Sequence, residues 1–241
     1  MAKWLEARVL ENKHWTDALF SLRVEAPRLS FEAGQFVRIA LEETLARPFS
    51  FVNPPEDPVH EFYGIVVPEG PLSPRLALLK KGERLLIASN PAGFLVLSEV
   101  PDAETLWLVS TGTGIAPFLS ILRTETPWRR FRNVVLIHAV RHARELVYGE
   151  LIRKLSQEHS LRYVTFVSRE AAPGSLSGRI PAALRDGRME KAAGLALDGN
   201  SHVMLCGNPD MLKDTQAVLV ERGLRKHRRR NPGHITVESF W

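Results

Sequence analysis

Cysteine is nearly absent from this sequence: Cys206 stands alone among 241 residues. A lone thiol closes no internal disulfide, and by itself it ligates neither a zinc ion nor an iron–sulfur cluster. No metal site is expected, and any one-electron chemistry has to come from a bound organic cofactor or a separate partner. Long apolar runs are missing as well. The stretch around Leu106–Val109 is far too short to span a bilayer. Met1 to Glu6 lack the apolar core and small-residue cleavage site of a secretory leader, so a cytoplasmic location is the expectation. Internal repeats and low-complexity segments are also lacking.

What remains is the composition of a folded globular protein, 44% hydrophobic and 24% charged. At 27.1 kDa the chain is long enough for two domains, each with its own core. A formal charge of +5 favours an acidic partner or ligand without saying which. The densest basic run is Arg225-Lys226-His227-Arg228-Arg229-Arg230, which reads equally as a solvated surface or as a nucleic-acid patch.

The rhythm of the sequence changes near its middle. Up to about residue 98, short β-branched or aromatic runs (Trp4–Glu11, Leu19–Val24, Gln35–Leu41, Glu61–Val67, Arg84–Ile87) alternate with breaks at Pro27, Gly34, Asn53-Pro54-Pro55 and Gly82. That spacing predicts a small antiparallel barrel or sandwich. One helix interrupts it, with Ser73 as cap and Pro74 in the first turn. Beyond the linker Glu99–Asp102, strands at Leu106–Val109, Val134–Ala139, Leu161–Val167 and His202–Cys206 alternate with helices near Ile115–Arg123, Glu145–Glu158, Ile180–Leu184 and Asp210–Arg222, and Ile235–Glu238 closes the chain. Continuous apolar strands between amphipathic helices predict a doubly wound parallel sheet.

Four segments carry candidate chemistry. Arg47-Pro48-Phe49-Ser50-Phe51 places a cation, two aromatics and a hydroxyl on one strand, with Phe49 and Phe51 on one face and Ser50 on the other. A flavin needs such a set for its pyrophosphate, its ring and its N5. Two core phenylalanines and a surface arginine would look the same. Thr111-Gly112-Thr113-Gly114-Ile115-Ala116-Pro117 follows a strand and opens a helix, where glycines admit a ligand and free N–H groups receive a pyrophosphate. Pro117 occupies the third glycine position of the dinucleotide fingerprint, and 127–133 holds no acid for a ribose 2′-hydroxyl; a plain structural turn would read alike. Arg141, Arg144, Ser168, Arg169 and Arg179 gather at the ends of successive parallel strands, where a phosphate monoester, hence NADP rather than NAD, would be held; surface arginines in loops would look the same one by one, though their shared strand-end position counts against that. Finally, Cys206-Gly207-Asn208-Pro209 repeats the strand–turn–helix pattern over the same sheet edge; a buried Cys there is otherwise ordinary packing.

In order and spacing, these segments resemble the bacterial ferredoxin (flavodoxin)–NADP⁺ reductases across the whole chain, closest to the subgroup ending in an aromatic pair. The resemblance rests on Arg47-Pro48-Phe49-Ser50, Gly70-Pro71-Leu72-Ser73-Pro74-Arg75-Leu76, Gly112–Pro117, Val167-Ser168-Arg169-Glu170, Cys206-Gly207-Asn208-Pro209 and Glu238-Ser239-Phe240-Trp241. It implies an FAD-binding β-barrel over residues 1–98. An NADP-binding α/β domain would follow over 99–241, with a tail returning to the flavin. FAD would meet Arg47 at its pyrophosphate, Phe49 at the isoalloxazine and Ser50 near N5, with Pro48, Tyr63, Pro71, Leu72 and Ser73 completing its site. Thr113 would reach the flavin side of the cleft. NADP would meet Val140, Arg141, Ser168, Arg169, Arg179, Gly207 and Asn208. Phe240 would cover the other flavin face and Trp241 stack on the adenine. Ser50, Cys206 and Glu238 would be the catalytic set. Phe49 departs from the Tyr usual in the family, so the phenol's hydrogen bond is not carried over.

The activity implied is hydride transfer between NADPH and FAD, followed by one-electron exchange with ferredoxin or flavodoxin. A monomer is expected, partnered by NADP(H) and an acidic carrier, with no nucleic-acid or membrane partner. Two other readings use the same residues: a reductase of another acceptor, such as an oxygenase component or free flavin, and a nucleotide- or nucleic-acid-binding protein built on Arg225–Arg230.

Overall fold

The computed structural model describes residues 3–239, which gather into two units with one six-stranded sheet each. The first unit runs through Val96 and takes in Ala116–Thr124. It holds β1 (Trp4–His14), β2 (Leu19–Glu25), β3 (Phe36–Glu42), β4 (Leu45–Ser50), β5 (His60–Ile65), α1 (Ser73–Ala77) and β6 (Arg84–Ala88). The antiparallel order is β4-β3-β6-β1-β2-β5. Alternation decides what is buried: on β1, Ala7 and Val9 face the core while Arg8 between them is exposed. Just past β4, Phe51 bridges Phe62 of β5 and the Val52 N–H donates to the Glu61 carbonyl at 2.8 Å. These contacts join the two outer strands, so the sheet closes into a barrel and leaves no open edge there.

Helix α1 begins one residue earlier than its sequence suggests. Leu72 is the flanking residue, and Ser73, expected as the cap, is helical; its hydroxyl accepts the Val67 N–H at 2.9 Å. Asn12 of β1 fixes the other end of the helix, donating to the Ala77 and Leu79 carbonyls at 2.9 and 2.8 Å. The next helix, α2 (Ala116–Leu122), is buried along its whole length, as expected of a helix apolar on every side. Within the first unit, Ser120 donates to the Asn53 carbonyl at 2.7 Å, while Arg123 just beyond pairs with Asp57 at 3.3 Å and Glu61 at 3.6 Å.

The second unit contains β7 (Thr105–Thr111), α3 (Thr126–Arg130), β8 (Asn133–Val140), α4 (Gly149–His159), β9 (Arg162–Val167), β10 (Leu176–Ser177), α5 (Ile180–Arg185), α6 (Arg188–Ala193), β11 (Ser201–Cys206), α7 (Pro209–Glu221) and β12 (Ile235–Glu238). All its strand pairs are parallel, in the order β10-β9-β8-β7-β11-β12. The chain winds one way through β8, β9 and β10, then returns to the other side of β7. The switch point therefore lies between β7 and β11, and ligands of such sheets lie beyond the carboxyl ends of the strands there. Trp107, Ile137, Phe166, Val203 and Leu205 belong to its core.

The helix expected from Glu145 starts only at Gly149: Ala143–Glu145 is a separate 3₁₀ turn, and Tyr148 at φ 61° redirects the chain. The basic run is folded back on itself. Arg228 and Asn231 exchange N–H···O=C bonds at 3.1 and 2.8 Å, Lys226 bridges Ile235, and Arg229 is paired with Glu99. No helix among the described residues is long and apolar enough to cross a membrane.

Candidate functional site

In the first unit, β4 presents Arg47, Pro48, Phe49 and Ser50 opposite Ile39, Arg38, Val37 and Phe36 of β3. Arg47 is exposed; it donates to the Ala46 carbonyl at 2.9 Å and has no ion pair among the described residues. Phe49 is half-buried against the barrel core, and a Cβ added at Gly64 would lie 3.0 Å from its ring. The flat face expected from Phe49 and Phe51 together does not form. Phe51 is fully buried, stacked on Phe31 with centroids 3.9 Å apart, so only Phe49 keeps exposed surface. Ser50 is nearly buried, at 6% exposure. Tyr63 on β5 is buried opposite Ser21, and Leu72 is in the core, so any contact it makes with a phosphate is through its backbone; Pro71 is exposed and Ser73 half-buried.

In the second unit, the switch point is built by two interlocking turns. A Cβ on Gly114 would fall 2.5 Å from the Cys206 carbonyl oxygen and 2.8 Å from the Gly207 Cα, and one on Gly207, at φ 137°, would strike the Thr111 hydroxyl. The Asn208 N–H donates to that same hydroxyl at 2.8 Å. These two glycines therefore serve the contact between the ends of β7 and β11. Only Gly112, at φ 53° with nothing within 4 Å, leaves open space of the kind the sequence pattern suggests for a ligand. Thr113 is half-buried in the same turn. Asn208 also caps α7, accepting the Asp210 and Met211 N–H groups at 3.0 and 3.2 Å.

Sequence reasoning passes over His138, which lies inside the apolar strand β8 and is fully buried. Its Nε2 donates to the Gly112 carbonyl at 3.1 Å, and the Tyr163 hydroxyl lies 3.5 Å from its Nδ1. Burial lowers its pKa to about 4, opposed by the Gly112 bond, so the ring is neutral and its tautomer fixed. The only hint in the sequence is a polar ring in an otherwise apolar strand.

Cys206 and Glu238 are direct partners in the β11–β12 register. Burial first, and the Glu238 carboxylate second, push the Cys206 thiol well above its usual range, so it acts as a neutral S–H rather than a thiolate. Ser50 belongs to the first unit. Phe240 and Trp241 lie outside the described residues.

The arginine loops follow β8 and β9, which stay zipped past their ends: the Ser168 N–H donates to the Val140 carbonyl at 3.1 Å and the Arg169 N–H to the Arg141 carbonyl at 3.0 Å. The Ser168 hydroxyl donates to Val140 as well, at 3.2 Å. Arg141, Arg144, Arg169 and Arg179 are exposed, and among the described residues none of these side chains has an ion pair or hydrogen bond. Four guanidiniums without an ion pair among the described residues, on adjoining loops, form a surface that an anion of high charge density would satisfy.

Comparisons with known proteins bear on the family and the fold. Residues 108–217 match the family described as oxidoreductase NAD-binding domain. The chain is 52% identical to a flavodoxin/ferredoxin–NADP reductase of Shigella flexneri and 51% identical to one of Escherichia coli, with 100% of each chain covered in both cases. Among solved structures, a ferredoxin NADP⁺ reductase from Neisseria gonorrhoeae with bound FAD and NADP superposes with a TM-score of 0.95 at 37% identity, over 100% of both chains.

Proposed function

Because the chain belongs to the flavodoxin/ferredoxin–NADP reductase family, we infer that it binds FAD and NADP(H) and moves electrons between NADPH and a ferredoxin or flavodoxin. It is an oxidoreductase. FAD supplies the conversion of a two-electron hydride, received at N5, into single electrons. The chain's own residues bind, orient and exclude water.

The observation that carries this reading is the set of strand-end arginines without ion pairs. A ribose 2′-phosphate is the anion they fit, and no acid of the kind that binds a 2′-hydroxyl competes for that position. Residues 1–98, completed by the Ala116–Thr124 segment, would form the FAD-binding domain and the rest of 99–241 the NADP-binding domain. Arg47 has no competing carboxylate among the described residues and would bind the pyrophosphate. Phe49 offers a half-exposed ring, and Ser50 a nearly water-excluded hydroxyl near N5. Pro48, Tyr63 and the Pro71–Ser73 segment complete the flavin site, with Phe240 and Trp241 as its cover and adenine stack. Thr113 would reach the flavin, and Val140, Arg141, Ser168, Arg169, Arg179, Gly207 and Asn208 would receive the nicotinamide dinucleotide. The neutral Cys206 and its register partner Glu238 would bound the nicotinamide. With basic residues in excess, an acidic carrier is the fitting partner. A cytoplasmic monomer accords with this scheme.

The test is acceptor kinetics with NADPH as donor. Purified flavodoxin and ferredoxin should be reduced with a kcat/KM at least tenfold above that for free flavin. Faster reduction of free flavin would replace the carrier reading with that of a flavin reductase.

A further inference from the structure

A carboxylate next to several arginines ordinarily forms ion pairs with them. Glu170 lies between the loop of Arg141 and Arg144 and the loop of Arg169, yet it pairs with none of the three. One of its oxygens accepts the Ala143 N–H at 2.6 Å and the other faces the His142 ring at 3.4 Å. The Ala143 N–H and then the His142 ring hold its carboxyl below the usual carboxylate range, with Arg144 adding a smaller attraction. Within the first loop, Glu145 does likewise, accepting the N–H groups of Arg141 and His142 at 2.9 and 3.3 Å. The backbone donors of 141, 142 and 143 are therefore all occupied by carboxylates, while the guanidiniums of Arg141, Arg144 and Arg169 have no ion pair among the described residues.

We propose that Glu170 is a positioning residue for dinucleotide selectivity, tying the Arg141–Arg144 loop to the Arg169 loop so that arginines from two strand ends converge on one 2′-phosphate. The inference rests on the phosphate reading given above. Losing the tie leaves the backbone bonds of Ser168 to Val140 and of Arg169 to Arg141 in place but frees the His142–Arg144 tip of the first loop to shift relative to Arg169. The loss therefore falls on NADPH, which has the phosphate, and spares NADH, which lacks it. A carboxylate that merely stabilised the turn would affect both nucleotides alike.

The experiment compares KM and kcat for NADPH and NADH in Arg169→Ala, Glu170→Ala, Glu170→Gln and the Arg169→Ala/Glu170→Ala double variant, with thermal melts alongside. Glu170 is exposed, so its substitutions should fold, and Gln keeps an oxygen for the Ala143 N–H. The expected result is a rise of about fivefold in KM for NADPH in Glu170→Ala, with kcat and the NADH constants unchanged. Glu170→Gln should stay within about twofold of the parent, and the double variant should lose less than the product of the two single effects. If Arg169→Ala weakens NADPH while Glu170→Ala changes nothing or weakens both nucleotides equally, the positioning role is overturned and the phosphate reading stands. If Arg169→Ala itself leaves NADPH unaffected, the phosphate reading fails and the role of Glu170 fails with it.

Discussion

Ser50 is the residue where burial and chemistry meet most narrowly. It is nearly excluded from water on a strand whose opposite face carries Arg47 and Phe49, and in the flavin site proposed above its hydroxyl would serve the reacting atom rather than the binding of the cofactor. Ser50→Ala should retain yellow, flavin-loaded protein while slowing flavin reduction about tenfold, as expected for one lost hydrogen bond of about 1.4 kcal/mol. Stopped-flow absorbance checks this, and loss of FAD or an unchanged rate would remove the role. Buried histidines set a second expectation. His138 and His202 have pKa values lowered from 6.5 to about 4 and about 3; burial is the main cause, with the neighbouring His227 adding to the effect at His202. The unfolded chain takes up these protons first, so stability is full above pH 6.5 and falls as pH drops toward 4, by at most about 1.4 kcal/mol per pH unit for each ring. Chemical-denaturation midpoints across that range should fall, and His138→Gln should fall less steeply. A pH-independent midpoint would mean the rings are not held neutral.

The elements were legible where pattern and length agreed. The apolar strands β7, β8, β9 and β11 and the helix α7 stand out in the sequence because long runs or a Pro after a capping residue mark them. Helices α3 and α6 did not: five or six residues hold too few turns for a period to show, and neither has the apolar run that marks the equally short α1 and α5. The left-handed Tyr148 that delays α4 has no signature in the sequence either. The glycine turn follows β7 where the sequence puts it, but Gly114, which the pattern offers to a ligand, packs on Cys206 and Gly207; that contact depends on β11 lying next to β7, a fact of topology and not of local sequence. The Asn208 cap is a local feature and gives a local prediction: Asn208→Ala should cost about 1 kcal/mol, lowering Tm by about 2–4 °C, whereas Asn208→Ser should recover most of it. A differential scanning calorimetry trace with no shift would show that Pro209 alone suffices to start α7.

Over the whole molecule, the chain leaves the first unit at Leu97 and returns to it for Ala116–Thr124. That excursion was invisible in the sequence, where α2 follows a glycine turn and looks like part of the second half. Its consequence is that a fragment ending at residue 98 lacks the partners of the Asn53 carbonyl, Asp57 and Glu61, and it should melt without a cooperative transition by far-UV circular dichroism; a sharp transition would make α2 dispensable to the barrel. The same scale holds the central claim, that a barrel carrying FAD and a sheet edge lined with arginines together take hydride from NADPH. Anaerobic stopped-flow bleaching of the bound flavin by equal concentrations of NADPH and NADH tests it most directly. Two charge-assisted hydrogen bonds at about 1.5–3 kcal/mol each amount to at least a hundredfold preference for NADPH in kcat/KM, and that is the result predicted; equal bleaching by both nucleotides, or a preference for NADH, would contradict it.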